Sequence, residues 1–386
     1  MEKTIRLFDI SSKMAAFDAV VLSCGEREGG TYEIVLDGTA FFPEEGGQSC
    51  DGGRLGGAAV LSVYERDGII YHVTDKPLAS GSSVRGEIEF SARFRNMQNH
   101  TGEHIVSGLI HKIYGYNNVG FHLGSDDMTA DFDGELSEDD IRKIEDLANR
   151  AVFECHPIRA YYPAPDELEK LEYRSKLDLS DGVRIVEIDG VDVCACCAPH
   201  VENTGEVGLI KITEFIRYKG GIRVHMRCGF DALDAFRADY AQVKAISMAI
   251  SAKHNEVAEG VDRVLDEIGK QKSIISALKR EIRTFKLEKL EYTSGNLVIF
   301  EDEGDMLSLR ELVNSAKQKC GGICAVFAGN DEVGYKYIIS STSVDLKPLA
   351  KEINAAISGR GGGSGEMIQG SCTAKREEIE RYFSAR

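Results

Sequence analysis

Two pairs of metal-binding side chains, far apart in the sequence, constrain the fold of this 386-residue chain more than any other feature. His100 and His104 are separated by three residues, so on a helix both imidazoles project from one face and can bind the same ion. Much further along, Cys196 and His200 offer a thiolate and an imidazole, also with three residues between them, in what we predict to be a loop. If all four bind one ion, the chain must fold so that the helix and the loop meet.

The chemistry of this set indicates the metal. Nitrogen and sulfur ligands are typical of zinc, whereas magnesium and calcium prefer oxygen, so we predict one Zn²⁺ per chain. Cys197 is a fifth candidate ligand, and it and Cys194 could equally be spectators. A metalloprotease would carry Glu directly after the first histidine, but Thr101 stands there, which argues against peptide hydrolysis. Glu103 is a candidate general base, although an exposed helix position is the more common explanation for such a residue.

Composition excludes several other classes of protein. Hydrophobic residues make up 42% and charged residues 28%, which is ordinary for a globular protein and excludes wholesale disorder and collagen-like repeats. No uncharged apolar run approaches the roughly 20 residues that span a bilayer, and the start lacks a signal-peptide pattern, so we predict a cytoplasmic protein with no membrane partner. The net charge of −17 argues against a uniformly basic nucleic-acid binder, although a local basic groove can coexist with it.

The pattern of apolar residues predicts an α+β fold with four domains. Residues 1–90 contain short strands separated by turn residues, which indicates a small β-barrel. Residues 91–229 combine helices and strands in an α+β core. Residues 230–293 contain about four heptads of apolar residues and predict a coiled-coil arm or helical hairpin. Residues 294–386 predict a compact α/β domain with a glycine-rich segment near its end.

Two helices of the core have local signals. Residues 99–114 have apolar positions at helical spacing, and this helix carries the first histidine pair. Ser137 and Asp140 resemble a capping box that opens a second helix with one apolar stripe.

Three motifs in this order resemble those of the alanyl-tRNA editing family, the freestanding relatives of the editing domain of alanyl-tRNA synthetase. They are Phe-Pro-Glu-x-Gly-Gly-Gln at 42–48, His-Thr-x-x-His at 100–104, and Cys-x3-His at 196–200 followed by Thr-Gly-Glu-Val-Gly at 204–208. The helical arm and the glycine-rich segment are similar to the DHHA1-type domain at the C terminus of the synthetase. Nothing in the chain resembles a synthetase catalytic domain, so the resemblance implies an editor that acts in trans.

The resemblance implies a zinc-dependent deacylase that hydrolyses the ester between a wrong amino acid, serine or glycine, and tRNA(Ala). An alanine-sized pocket cannot exclude glycine and rejects one added hydroxyl only weakly, so a second hydrolytic site is needed for accuracy. Residues 91–229 would be the zinc-binding editing core. The residues implied are the zinc ligands His100, His104, Cys196 and His200 and the substrate-binding loop residues Gly46, Gly47 and Gln48.

Some positions depart from the family pattern or allow two interpretations. Thr101 offers a hydroxyl that could contact substrate or simply lie on the helix surface. The polar residue that the family has about twenty positions beyond the first histidine has no clear match, and His122 is a candidate substitute, which leaves the preference between serine and glycine open. Glu45 replaces the first of three glycines in the loop. Gly362 and Gly363 could expose backbone N–H groups to tRNA phosphate, or form a packed turn.

Two hypotheses of different classes follow. The first is the deacylase, with the helical arm and the C-terminal domain binding tRNA or forming a homodimer. The second is a non-catalytic zinc-containing module that binds tRNA, which closed coordination by four protein ligands would favour. A DHH-type phosphoesterase is disfavoured because its aspartate-rich metal motifs are absent from the sequence.

Overall fold

The computed structural model describes residues 2–124, 128–175 and 182–385, and the chain divides into two compact units, Met1–Ala245 and Ile246–Arg386. Helices and sheets are mixed in both, so the predicted α+β fold is confirmed. Every helix in the described parts of the chain is too short or too polar to cross a bilayer.

The first unit begins with a sheet that closes on itself. Six strands follow one another in the order β2-β3-β7-β6-β5-β8, and β8 pairs with β2 to complete the ring. Buried apolar residues, among them Phe17, Ile34, Phe41 and Leu55, form one core cluster here. The elements are β1 (Ile5–Arg6), α1 (Leu7–Ile10), β2 (Ala16–Arg27), β3 (Thr31–Leu36), β4 (Gly38–Thr39), β5 (Gly53–Leu55), β6 (Ala58–Arg66), β7 (Ile69–Thr74) and β8 (Ser83–Ile88).

The rest of the first unit is organised around one long helix. The elements of this part are α2 (Phe90–Tyr114), β9 (Asn118–Leu123), β10 (Met128–Phe132), α3 (Glu138–Glu154), β11 (Ile158–Tyr161), α4 (Pro165–Leu168), β12 (Ile185–Ile188), β13 (Asp192–Ala195), β14 (Ile210–Tyr218) and β15 (Gly221–Cys228). They are followed by α5 (Gly229–Ala249), whose last four residues belong to the second unit. The strands form two antiparallel sheets, β14-β15-β10-β9 and β11-β12-β13. From Met97 to Gly108, α2 is buried on all sides, so its polar side chains must find partners inside the protein.

The two helices predicted in this region are present. α2 begins at Phe90, nine residues before the predicted start at 99, and ends at Tyr114. α3 begins directly after Ser137, whose hydroxyl accepts from the backbone N–H of Asp140 while the Asp140 carboxylate accepts from the backbone N–H of Ser137. The predicted capping box is therefore confirmed.

The second unit contains a long helix and a five-stranded sheet. Its elements are α6 (Val257–Glu288), β16 (Leu297–Glu301), α7 (Met306–Ala316), β17 (Ile323–Asn330), β18 (Gly334–Ser341), α8 (Leu346–Ala356), β19 (Gly359–Gly363), β20 (Met367–Cys372) and α9 (Arg376–Ser384). The strand order is β16-β17-β18-β20-β19, with the β16-β17 pair parallel and the others antiparallel. Apolar residues at heptad positions of α6 are exposed, among them Val264, Ile275, Leu278 and Phe285.

The glycine-rich segment differs from the expected loop or turn. Gly362 and Gly363 belong to β19 and pair in register with Gln369 and Ile368 of β20, so the segment forms a β-hairpin. Glycine is needed where the two strands approach the Tyr337 hydroxyl, because a β-carbon at Gly361 would lie 2.4 Å from that oxygen.

Candidate metal centre

The structure brings His100, His104, Cys196 and His200 together. One potential ligand atom from each lies within 4.8 Å of the others. The Cys196 Sγ is 3.6 Å from Nε2 of His100 and 3.4 Å from Nε2 of His200. The three histidines are at most 4% exposed. Among the described residues, Cys197 is not part of this cluster, so the thiolate ligand would be Cys196.

Two local features place these side chains. α2 puts His100 and His104 on one face, one turn apart. The loop after β13 carries the other two residues, and Arg184 holds its shape by donating from Nη1 to the carbonyl oxygens of Cys196 (3.0 Å) and Ala198 (2.9 Å). The cluster forms because the loop passes directly over α2.

Each histidine uses its Nδ1 for a hydrogen bond to another residue. His100 contacts Gln48 Oε1 at 2.9 Å, His104 contacts Asp192 Oδ2 at 3.0 Å, and His200 contacts Thr101 Oγ1 at 2.9 Å. An acceptor at Nδ1 fixes the tautomer that leaves the Nε2 lone pair free. Three nitrogens and one sulfur then face a common centre, which is a donor set that fits a tetrahedral metal ion and is typical of zinc.

The protonation equilibria favour ligation by Cys196 and His200. Burial would raise the pKa of the Cys196 thiol, but the neighbouring His100, through its charge and its hydrogen bond to the sulfur, holds this pKa well below its ordinary value. Burial lowers the pKa of His200 to about 3, so this imidazole is neutral at physiological pH. Burial would also lower the pKa of His104, yet Cys194 and the hydrogen bond to Asp192 raise it well above its ordinary value. A metal ion would replace the proton at His104.

A cavity of about 350 Å³ adjoins the cluster. Its lining includes His100, His104 and Cys196 together with the glycine-rich loop residues Glu45 and Gly46. A cavity of this size falls within the range of small-molecule binding sites. The candidate metal centre therefore lies on the wall of a space that can receive a ligand.

The glycine-rich loop makes a tight turn against β9. Gly46 and Gly47 have φ angles of +63° and +83°, in the left-handed region that favours glycine. A β-carbon at Gly47 would lie 2.8 Å from the carbonyl oxygen of Phe121. The turn directs Gln48 inward, where it is 1% exposed, and its Nε2 is buried with no hydrogen-bond partner among the described residues.

Thr101 and Glu103 are both buried, which differs from the surface positions that we considered for them. Thr101 is fully buried, and its hydroxyl contacts Nδ1 of His200. Glu103 is 3% exposed, and its carboxylate accepts from the Ser107 hydroxyl and the Asn118 amide. The expectation that Glu103 is exposed is wrong because α2 is surrounded by other elements, and Glu103 instead lines the cavity.

His122 is not brought to the cluster. Its neighbour Phe121 packs against His100, with 4.7 Å between ring centroids. Successive residues of a strand point to opposite faces, and His122 is exposed on the other face of β9. The proposed substitution of His122 for the missing polar residue is therefore not supported by its position. Gly362 and Gly363 lie in β19 of the second unit.

Sequence reasoning missed Asp192 and Arg174, which support His104 from behind. Arg174 contacts both carboxylate oxygens of Asp192, at 2.7 and 2.8 Å. One signal was available for Asp192. Residues 192, 194 and 196 alternate along β13 and its extension, so a period of two places Asp192 on the same face as Cys194 and Cys196.

Comparison with known proteins agrees with the motifs. Residues 183–264 match the family model described as "Threonyl and Alanyl tRNA synthetase second additional domain". The chain is 27% identical to the alanyl-tRNA editing protein AlaX-L of Pyrococcus horikoshii, over 92% of this chain and 91% of that protein. The chain is therefore similar, over nearly its whole length, to an alanyl-tRNA editing protein.

Alanyl-tRNA synthetases are similar to this chain over part of their own length. The chain is 29% identical to the alanine–tRNA ligase of Methanococcus vannielii, over 99% of this chain but only 44% of the ligase. The chain therefore spans less than half of that relative, whereas it spans nearly all of the editing protein. The C-Ala domain of Aquifex aeolicus alanyl-tRNA synthetase matches 24% of this chain and 87% of that structure, with 19% identity and a TM-score of 0.20.

Proposed function

We propose that this protein is a trans-acting hydrolase that removes serine, glycine or both from mischarged tRNA(Ala) at a zinc site. The observation that carries the proposal is the convergence of three imidazole nitrogens and one thiolate on the wall of a ligand-sized cavity. Similarity to an alanyl-tRNA editing protein and to the synthetase additional domain supports aminoacyl-tRNA as the substrate class. The proposed substrate places the activity in the cytoplasm, where tRNA is charged.

The four side chains His100, His104, Cys196 and His200 would hold the zinc ion. When bound, the ion would supply Lewis-acid chemistry that positions the aminoacyl group or lowers the pKa of a water. Gln48 and Thr101 orient His100 and His200 by the hydrogen bonds described above. The burial of all three histidines keeps bulk water away from the ligands.

Two side chains beside the candidate metal centre would contact the substrate directly. The unpartnered Nε2 of Gln48 can donate to a carbonyl or hydroxyl oxygen of the aminoacyl group, because a buried donor normally has an acceptor. Glu103 lines the cavity that adjoins the cluster, and we assign it the role of accepting a proton from the attacking water. Glu103→Gln should then retain zinc and lose activity by about 10²- to 10⁴-fold.

Deacylation of Ser-, Gly- and Ala-tRNA(Ala) by the purified protein, with bound zinc quantified in the same preparation, tests the proposal. We expect loss of serine or glycine with alanine spared, and about one zinc per chain. Cys196→Ala should remove zinc and activity together. Cys155→Ala is the matched control, because Cys155 is an exposed cysteine at the end of α3. Full deacylation by zinc-free Cys196→Ala would contradict the metal site.

A second candidate function is a non-catalytic zinc-containing module that binds tRNA. The observation that favours it is the number of protein ligands, because four side chains complete a tetrahedral set and catalytic zinc sites usually keep one position for water. The same assay separates the two functions. Full zinc occupancy and tight tRNA binding without hydrolysis would support the module.

We further propose the four-domain division 1–90, 91–229, 230–293 and 294–386, with the last two domains serving tRNA binding and dimerisation. Support for a homodimer comes from the exposed apolar residues at heptad positions of α6. Gly362 and Gly363 lie at the edge of their sheet, where backbone groups can meet phosphate. Leu278→Glu should reduce the mass measured by light scattering from dimer to monomer. A monomeric mass for the protein without this substitution would contradict dimerisation.

A further inference from the structure

Asp192 occupies an unusual electrostatic position behind the candidate metal centre. It is the first residue of β13 and is 5% exposed. One oxygen accepts from His104 Nδ1 at 3.0 Å, and Arg174 contacts both oxygens through Nε (2.7 Å) and Nη2 (2.8 Å). The buried carboxylate thus joins a metal-ligating imidazole to a guanidinium.

The three histidines differ in the acceptor that each one meets. His100 donates to a neutral amide oxygen and His200 contacts a neutral hydroxyl, whereas His104 donates to a carboxylate. Hydrogen bonds to an ionised acceptor are roughly twice as strong as neutral ones. A carboxylate at Nδ1 also makes the opposite ring nitrogen a better metal ligand. Of the three histidines, His104 is therefore the one whose strength as a ligand depends on a charge.

His104, Asp192 and Cys194 also form a second group that could hold a metal ion, since their ligand atoms lie within 4.8 Å of one another. Arg174 argues against that use. Its guanidinium is a permanent cation that already contacts both oxygens of Asp192. A divalent cation at this position would have to displace a like charge, so the second group supports the first site and does not form another.

A close contact between helix and strand makes this arrangement possible. Gly108 lies one turn after His104 on α2, and a β-carbon there would be 2.6 Å from Asp192 Cβ and 2.8 Å from the Val191 carbonyl oxygen. Any larger residue would push β13 away from the helix. Glycine at this position lets Asp192 reach His104.

We propose that Asp192, held in place by Arg174, is the positioning residue that sets the metal affinity of the site through His104. The inference rests on the proposed metal site and deepens it. Asp192 contacts neither the ion nor the substrate in this role. Its charge and its two-point contact with Arg174 fix the orientation of the imidazole.

Zinc affinity measured by chelator competition on the full chain, with zinc alone as the probe, tests the inference without any tRNA. Asp192→Asn should weaken zinc binding by about 10- to 100-fold. Asp131→Asn is the matched control, because Asp131 makes the same two-bond pair with Arg223, at 2.6 and 2.8 Å, and has no histidine partner among the described hydrogen bonds. The control should leave zinc affinity unchanged.

Thermal unfolding of the zinc-free proteins separates positioning from general stability. Both Asp→Asn variants lose an ion pair and should unfold at lower temperature, but only Asp192→Asn should bind zinc more weakly. Arg174→Lys keeps the positive charge and loses the planar two-point contact, so it should weaken zinc binding by a smaller factor. It provides the test if Asp192→Asn does not fold.

The outcomes are distinguishable. Wild-type zinc affinity in a folded Asp192→Asn protein, or in Arg174→Lys when Asp192→Asn does not fold, would overturn the inference and leave the proposed function intact. Failure of the unmodified protein to bind zinc would overturn both. Weaker zinc binding by Asp192→Asn, together with unchanged zinc affinity in Asp131→Asn, would support the inference whether or not the protein deacylates tRNA.

Discussion

The ion pair between Arg93 and Asp51 is buried where α2 meets the segment that carries the glycine-rich loop. The side chains are 0% and 1% exposed. Arg93 contacts both Asp51 oxygens and also donates to the carbonyl oxygens of Ala40 (2.6 Å) and Ser12 (3.1 Å). Asp51 additionally accepts from the backbone N–H of Phe42 at 2.6 Å. Every charge of the pair is therefore compensated inside the protein.

Removing one partner should be far more costly than removing an exposed charge. Asp51→Asn leaves the Arg93 guanidinium buried without a counter-charge, which should lower the free energy of unfolding by about 3–5 kcal/mol. Arg93→Met leaves the carboxylate buried in the same way and should cost a similar amount. The double variant leaves no unpaired charge. Its loss of unfolding free energy should therefore be smaller, by about 1–3 kcal/mol, than the sum of the losses in the two single variants.

Urea denaturation followed by far-UV circular dichroism measures these losses as shifts of the transition midpoint at constant slope. Glu138→Gln is the control, because Glu138 and Arg142 form an ion pair whose side chains are 77% and 65% exposed. The control should change stability by less than about 1 kcal/mol. Single losses as small as the control, or strictly additive losses in the double variant, would refute the reasoning.

Three further changes have expected results. Burial lowers the pKa of His72 from 6.5 to about 4. Between these two pH values only the unfolded chain takes up the proton, so acidification over this range should lower the free energy of unfolding by about 3 kcal/mol. His72→Leu should abolish that part of the pH dependence in urea titrations. Gly102→Ala puts a β-carbon 2.2 Å from Cys228 Sγ and should lower the free energy of unfolding by about 1–3 kcal/mol. Gly269→Ala is the contrasting change in α6, because a β-carbon there has no neighbour within 4 Å, and it should stabilise this helix by up to about 1 kcal/mol. Gly47→Ala should displace Gln48 from His100 and weaken zinc binding in a chelator titration; unchanged affinity would contradict the turn's role.

Local signals predicted the parts of the fold that depend on neighbouring residues. The start of α3 follows from hydrogen bonds between Ser137 and Asp140, three residues apart, so a sequence pattern contains all of the information. The shared face of His100 and His104 follows from helix geometry in the same way. The start of α2 has no side-chain cap, so its first nine residues had no comparable signal.

Features that depend on register or on distant partners could not be predicted. The face on which His122 lies depends on the register of β9 with β10, and a shift of one residue would reverse it. The burial of Glu103 depends on which elements surround α2. The contact of Arg174 with Asp192 joins residues 18 apart across two segments, and the contact of Asp192 with His104 joins residues 88 apart. Only the alternation along β13 offered a partial signal.

The charges around the candidate metal centre bear on whether the proposed site is catalytic or structural. Of the four proposed ligands, Cys196 alone contributes a negative charge, because the histidines bind as neutral imidazoles. The charge of Asp192 is balanced by Arg174, so it strengthens His104 without neutralising the centre. A divalent ion would therefore leave a net positive charge at the cavity wall, in contrast to structural sites with four thiolates. That sign suits an ester carbonyl that gains negative charge during hydrolysis. A site built only to stabilise the fold would have no need of a cavity beside it or of a buried Gln48 Nε2 with no hydrogen-bond partner among the described residues.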